Sequence, residues 1–128
     1  MIKDQVMTPD YCIYNGDNME VMATLPDASI DLSIYSPPFC GLYQYSSDHR
    51  DFSNCETREK FLEQYEFLVA EMARVTKPGR ITAVHCTDVF DNSCRLWDFP
   101  HEIIRLHEKW SVKRLIRKWL LGLPGGAK

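Results

Sequence analysis

The feature that most restricts the fold is a long amphipathic stretch held between two short apolar runs. Phe61, Leu62, Tyr65, Leu68, Val69, Met72 and Val75 recur at three- and four-residue steps, which puts them on one face of a helix. Thr57 is the expected N-cap, and Lys77-Pro78-Gly79 is the expected stop. Ahead of this helix, Asp31 to Tyr35 is apolar enough to be a strand buried on both faces, as parallel strands are. Behind it, Arg80 to Cys86 has the composition of the next strand. An earlier strand over Tyr11–Tyr14 stops at Asn15-Gly16-Asp17, and a helix over Asn18–Leu25 is closed by Pro26-Asp27. Phe99 to Trp110 makes a further amphipathic helix. Strand, helix, strand, helix, strand is the order of βαβ units, so the expected class is α/β: a parallel sheet with flanking helices.

One strand ends unusually. Asp31–Tyr35 hands over to Ser36-Pro37-Pro38-Phe39, and residues 36–56 then show no periodicity, only Ser, Asp, Gly and aromatics. A long irregular loop in a compact domain is usually functional. A Pro-Pro pair stiffens the backbone and removes two N–H donors, so it presents bare carbonyls at fixed angles. In open α/β sheets, ligands sit beyond the carboxyl ends of strands, and both this tetrapeptide and Asn15-Gly16-Asp17 fall at such ends. Ser36 Oγ and the Pro37 carbonyl can accept the two hydrogens of an amino group while the Phe39 ring stacks on a flat substrate. The exocyclic amine of adenine or cytosine is a poor nucleophile because its lone pair is delocalised into the ring. Two acceptors that pull the amine toward tetrahedral geometry localise that pair for attack on a methyl donor, and in-line positioning supplies the rest.

"NGDNMEVMATLPDASIDLSIYSPPF" resembles the cofactor and catalytic motifs of the amino-DNA methyltransferases, which modify adenine N6 or cytosine N4. "LYQYSSDHRDFSNC", "FLVAEMARVTKPGRITAVHC" and "DFPHEIIRLHEK" are similar to phage-type members in which the catalytic motif precedes the cofactor glycine loop. The resemblance covers roughly residues 11–109. It implies a Rossmann-like fold, S-adenosylmethionine as methyl donor, and DNA as partner, with the target base flipped out of the duplex. By matching position, Asp17 would contact the adenosine part of the cofactor. Ser36, Pro37, Pro38 and Phe39 would hold the base, Pro38 locking the loop. Ser at the first motif position leans toward cytosine N4, with adenine N6 nearly as well matched. The chain departs from the family in having no Phe-x-Gly-x-Gly loop, because Leu121–Gly126 follows no β-prone run. Trp110-Ser111-Val112-Lys113-Arg114 stands where relatives of this type have a small residue, a glycine and an aromatic. The resemblance therefore implies a truncated member. Residues 1–110 are the catalytic half and residues 111–128 a basic amphipathic tail unlike the family, and the chain is expected to be inactive alone. A non-catalytic remnant or interaction module that keeps the fold is the competing reading, and methylation of RNA or of a protein amide is a third.

The charge distribution bears on partners. Residues 1–108 carry 9 Lys+Arg against 18 Asp+Glu, whereas residues 109–128 carry six basic residues and no acid, for the net −3. An acidic body is not a nucleic-acid surface, so DNA affinity is expected from the tail, from further sequence or from a partner. Val112, Leu115, Ile116, Trp119 and Leu120 form the tail's apolar stripe, expected to pack on this body or on a neighbouring chain. No run is long enough to span a membrane and the first residues are not an apolar signal, so a cytoplasmic protein without a membrane partner is expected. The unpaired sheet edge is expected to favour self-association or a complementing chain. Five cysteines without a C-x-x-C pair suggest reduced thiols. Cys40 follows Phe39 rather than a proline, unlike the nucleophile of cytosine-C5 enzymes. His101 and His107 are six residues apart and so not on one helical face, which argues against H-E-x-x-H zinc chemistry. His85 is expected to be a satisfied buried histidine.

Overall fold

The computed structural model describes residues 2–38, 47, 51, 54, 55, 57–90 and 95–110. β1 (Asp4–Met7) pairs antiparallel with β2 (Cys12–Asn15), in a register that sets Val6 opposite Ile13. Thr8 closes the hairpin: its N–H donates to Tyr11 O at 2.9 Å and its Oγ1 accepts from Tyr11 N at 3.0 Å. The Tyr11–Tyr14 run is thus a strand, but in an antiparallel ribbon rather than the parallel sheet. Its partner Asp-Gln-Val-Met carries little strand signal of its own and is held by pairing.

α1 (Asn18–Met22) is shorter than the periodicity suggested. The chain then turns through Ala28 at φ 48, a left-handed conformation that costs a residue with a Cβ roughly 1 kcal/mol. Two hydrogen bonds hold that turn: Ala28 N donates to Arg74 O at 2.9 Å and Ser29 N to Val75 O at 2.8 Å. They satisfy carbonyls that the end of a helix leaves without partners. The Arg74 side chain adds bonds to Met22 O (2.8 Å), Leu25 O (2.9 Å) and Asp27 (2.7 Å).

These contacts set the start of β3 (Ile30–Tyr35) beside the start of β4 (Thr76–Val84), joined by α2 (Arg58–Val75). β3 and β4 are parallel, so the expected βαβ unit is present. Thr57 caps α2 as expected, its side chain accepting from Lys60 N at 3.2 Å. Two expectations are corrected. The helix ends at Val75, and Lys77-Pro78-Gly79 is not its stop but an irregular part of β4, with Gly79 at φ 77. Among the described residues β3 is covered on one face only: Tyr35 meets Tyr65 of α2 and Ser33 is half-buried on the same side, while Leu32 (54 %) and Ile34 (73 %) are exposed beside Ile81 (64 %).

β5 (Val89–Phe90) and β6 (Leu96–Trp97) form a short antiparallel pair ahead of α3 (Phe99–Lys109), which Asp98 caps by accepting from His101 N at 3.2 Å. The core gathers Phe61, Tyr65, Leu68, Val69 and Met72 of α2, Val89 and Trp97 of the β5–β6 pair, and Phe99 and Ile103 of α3. Its centre is aromatic. Phe61 stacks on Tyr65 at 5.6 Å and meets Phe99 and Trp97 edge-on at 5.7 and 6.1 Å. The sheet face that carries Tyr35, Val84 and Cys86 packs against this cluster, which fixes where β3 and β4 end.

Candidate functional site

β3 and β4 run out side by side. His85 N donates to Tyr35 O at 2.9 Å, continuing the ladder by one residue, and Ser36 Oγ donates to His85 O at 3.0 Å. A carbonyl oxygen can only accept, so the Ser36 hydroxyl proton is committed to His85. The Oγ lone pairs are thereby left as acceptors. Ser36 is exposed, Pro37 is buried and Pro38 half-buried. Pro37 and Pro38 bring no N–H to this end of the sheet, so it is rich in acceptors and poor in donors. Asp88, between β4 and β5 in the chain, has a buried carboxylate oxygen, Oδ1, with no hydrogen-bond partner among the described residues. Phe39 and Cys40 lie outside the described residues.

Beneath this end of the sheet is a polar relay that composition gave no sign of. Tyr35 Oη lies 2.5 Å from Tyr65 Oη and 3.4 Å from His107 Nε2, and His107 Nδ1 lies 2.7 Å from Ile103 O. Elementary donor counting fixes its direction. Ile103 O can only accept, so Nδ1 carries the imidazole proton; neutral Nε2 then accepts from Tyr35, and Tyr35 accepts from Tyr65. Burial pushes the Tyr35 hydroxyl up to about 12 and raises Tyr65 further. It pushes the His107 imidazole down, against the opposing pull of the Ile103 carbonyl. All three side chains are therefore neutral near pH 7.

Asp17 lies apart from this relay, after β2, and caps α1: its Oδ1 accepts from Met19 N at 2.9 Å. Ser36–Pro38 and Asp17 thus leave two separate sheets, and the structure does not align them along one hydrogen-bonded edge. His85 is exposed, not buried, and enters the site through its backbone. Among the described residues no group of His, Cys, Asp and Glu could hold a metal, and Cys12, Cys55 and Cys86 are reduced. No helix among them is long and apolar enough to cross a membrane. Sequence reasoning missed Tyr65 and His107, which it had assigned to the core stripe and to a failed zinc motif. The one available signal was that two aromatic hydroxyls and an imidazole on apolar faces all need partners.

No protein-family model matches the chain. It is 33% identical over 67 residues to the type II methyltransferase M.BglII of Bacillus subtilis, and 38% identical over 42 residues to M.SfiI of Streptomyces fimbriatus. It spans only 17% and 10% of those relatives' lengths. A solved structure of a candidate DNA modification methylase from Thermus thermophilus superposes on 88% of this chain with a TM-score of 0.63 at 24% identity, the match covering 45% of that protein. The same protein crystallised with S-adenosyl-L-methionine gives a TM-score of 0.57 over 75% of this chain at 23% identity. The described elements thus share part of the Rossmann-like fold of that Thermus protein.

Proposed function

We propose that this chain is the catalytic part of a DNA methyltransferase that transfers a methyl group from S-adenosylmethionine to the exocyclic amine of cytosine (N4) or adenine (N6). The observation that carries the reading is the Ser36–His85 hydrogen bond, which turns Ser36 Oγ into a fixed acceptor at the end of a parallel strand pair, next to two prolines. A flipped base presents one amino group with two hydrogens. Ser36 Oγ takes one and the Pro37 carbonyl takes the other, while Phe39 stacks on the ring. With both hydrogens drawn to one side, the nitrogen lone pair points to the other. Pro38 limits the backbone freedom of the loop, so this arrangement exists before the base arrives.

Asp17 suits the adenosine part of the cofactor. Its carboxylate is half-buried and held by the Met19 amide, so it offers ribose hydroxyls an acceptor that does not have to be ordered on binding. The cofactor, when bound, supplies an electrophilic methyl group. The relatives' names, and the Thermus protein's crystallisation with S-adenosyl-L-methionine, support both donor and reaction class.

The test completes this chain with the cofactor-loop region of a type II methyltransferase and follows a radiolabelled methyl group into DNA, RNA and peptide in parallel. Label is expected in DNA, at cytosine N4 or adenine N6, and is lost in Ser36→Ala and Phe39→Ala with the far-UV circular dichroism unchanged. Undiminished labelling in either variant would overturn the assignment of roles. A folded, completed protein that labels nothing would favour a non-catalytic module.

A further inference from the structure

We propose that His107 is a positioning residue: through Tyr35, its neutral imidazole holds the end of β3 so that Ser36 and Pro37 are presented as acceptors. The proposal deepens the reading of the Ser36–Pro38 site and rests on it.

The linkage is short and continuous. Ile103 O, His107, Tyr35 and Tyr65 form one chain of hydrogen bonds across α3, β3 and α2. Tyr35 is the last residue of β3, and its carbonyl receives His85 N while the next residue, Ser36, returns a bond to His85 O. A change in the seat of the Tyr35 ring therefore bears directly on the peptide that leads into Ser36 and Pro37. The relay has only two self-consistent directions. With His107 neutral, Tyr65 donates to Tyr35 and Tyr35 to Nε2, and every hydroxyl has an acceptor. With His107 protonated, Nε2 becomes a donor and Tyr35 must turn to Tyr65, whose own hydroxyl, fully buried, is left without an acceptor among the described residues. Two directions of one buried network make a two-state element, and the protonation of His107 selects between them.

The other titratable groups around it do not replace it. On α2, Glu66 follows Tyr65, but its carboxylate is taken by Lys109 and Trp110 of the α3 end. Beyond β4, the Cys86 thiol packs against the core beside Tyr35 and Tyr65. Glu102, Arg105 and Glu108 lie on α3 itself, and Arg105 pairs with Glu102 at 3.9 Å.

The test uses nuclear magnetic resonance of the full 128-residue chain, following the His107 ring nitrogens and the Tyr35 and Ser36 amides from pH 8 to pH 5. It needs no activity, so it can fail while the methyltransferase reading stands, and the reverse. A His85→Gln background removes the titratable side chain of the residue whose carbonyl Ser36 bonds. In it, the Ser36 amide is expected to titrate with the same midpoint as His107. His107→Gln can still donate to Ile103 O and accept from Tyr35 but does not titrate, so Ser36 should stay at its high-pH position throughout. In Tyr35→Phe, His107 should still titrate while Ser36 no longer follows. A Ser36 amide that stays flat while His107 titrates, or one that titrates equally in His107→Gln, would overturn the proposal. A purely structural His107 would give the first of those results.

Discussion

Replacing Tyr35 by phenylalanine removes one oxygen and, with it, both hydrogen bonds of the relay's middle member. Tyr65, which is fully buried, then has a hydroxyl without an acceptor, and His107, 7% exposed, has a bare Nε2. Leaving a buried polar group unpaired costs about 1–3 kcal/mol, so Tyr35→Phe should cost about 2–4 kcal/mol. Tyr65→Phe loses only the terminal donor: Tyr35 still donates to His107, the ring still stacks on Phe61, and the expected cost is about 1 kcal/mol. The double variant is the sharper measurement. Once Tyr35 has lost its hydroxyl, removing the Tyr65 hydroxyl takes away an orphan rather than a bond. Adding Tyr65→Phe to Tyr35→Phe should therefore be neutral or stabilising by about 1 kcal/mol, with the sign reversed from its effect in the wild type. Urea unfolding followed by circular dichroism at pH 7.5 resolves this, because 1 kcal/mol moves the midpoint by about 0.3–1 M at the m-values of small domains. If Tyr65→Phe costs the same in both backgrounds, the relay is not a connected network and the donor counting is wrong.

Three further outcomes follow from the same structure. His107 has its pKa depressed by burial, so its contribution is fully present above the unfolded value of about 6.5 and is lost as pH falls toward the folded value; urea midpoints should drop from pH 7.5 to 5.5 by more in the wild type than in His107→Gln. Arg74→Met removes the bonds to Met22 O, Leu25 O and Asp27, so the amides of Ala28 and Ser29 should exchange with deuterium faster than those in the middle of α2. Isothermal calorimetry of the 128-residue chain with S-adenosylmethionine should show no binding at micromolar concentrations, since a cofactor gripped at one end loses several kcal/mol and falls to roughly millimolar affinity; micromolar binding would show that another part of this sequence supplies the cofactor loop.

The parts of the fold that were legible in the sequence are those in which local pattern and tertiary demand agree. α2 carries a complete apolar face and its own cap: of the expected core residues, Phe61, Tyr65, Leu68, Val69, Met72 and Val75 are buried, and Leu62 is half-buried against them. The apolar, β-prone β3 follows from the same agreement, and so does its parallel pairing with β4 across a crossover helix. β1 and the β5–β6 pair were not legible: Asp-Gln-Val-Met carries little strand signal, two-residue strands have too little sequence to show a period, and all three exist through their partners. Burial of β3 on both faces failed for a different reason. Its composition is that of a strand covered twice, and the described residues cover it once, leaving Leu32 and Ile34 in water. Within the site, Ser36-Pro37-Pro38 could be singled out by chemistry. What gives Ser36 its direction is a main-chain carbonyl 49 residues away, and no pattern in one sequence announces such a contact.

That long-range contact depends on the stretch the sequence reading placed at a helix end. Between the pairs Ile30–Thr76 and Leu32–Ile81, β3 advances two residues while β4 advances five, so three extra residues are accommodated in β4. Lys77, Pro78 and Gly79 lie in this irregular segment, and Gly79 adopts the left-handed backbone at φ 77 with open space around its Cα. Asp31 pins the segment from across the pair, accepting from Lys77 Nζ at 2.7 Å and from Arg80 Nε at 2.9 Å, and these two cations hold its carboxyl below the usual carboxylate range. From Ile81 onward the register is regular through Ser33–Thr82, Ile34–Ala83 and Tyr35–Val84, so the position of His85 beside Ser36 is inherited from the irregularity. Strand register is all-or-none: a slip of one residue would turn every side chain of β4 to the opposite face and carry the His85 carbonyl away from Ser36. The Lys-Pro-Gly sequence thus ends no helix. It sets the register that places the acceptor of the Ser36 proton, and an alanine at position 79 would disturb the site through backbone strain alone, since no neighbouring atom lies within reach of its methyl group.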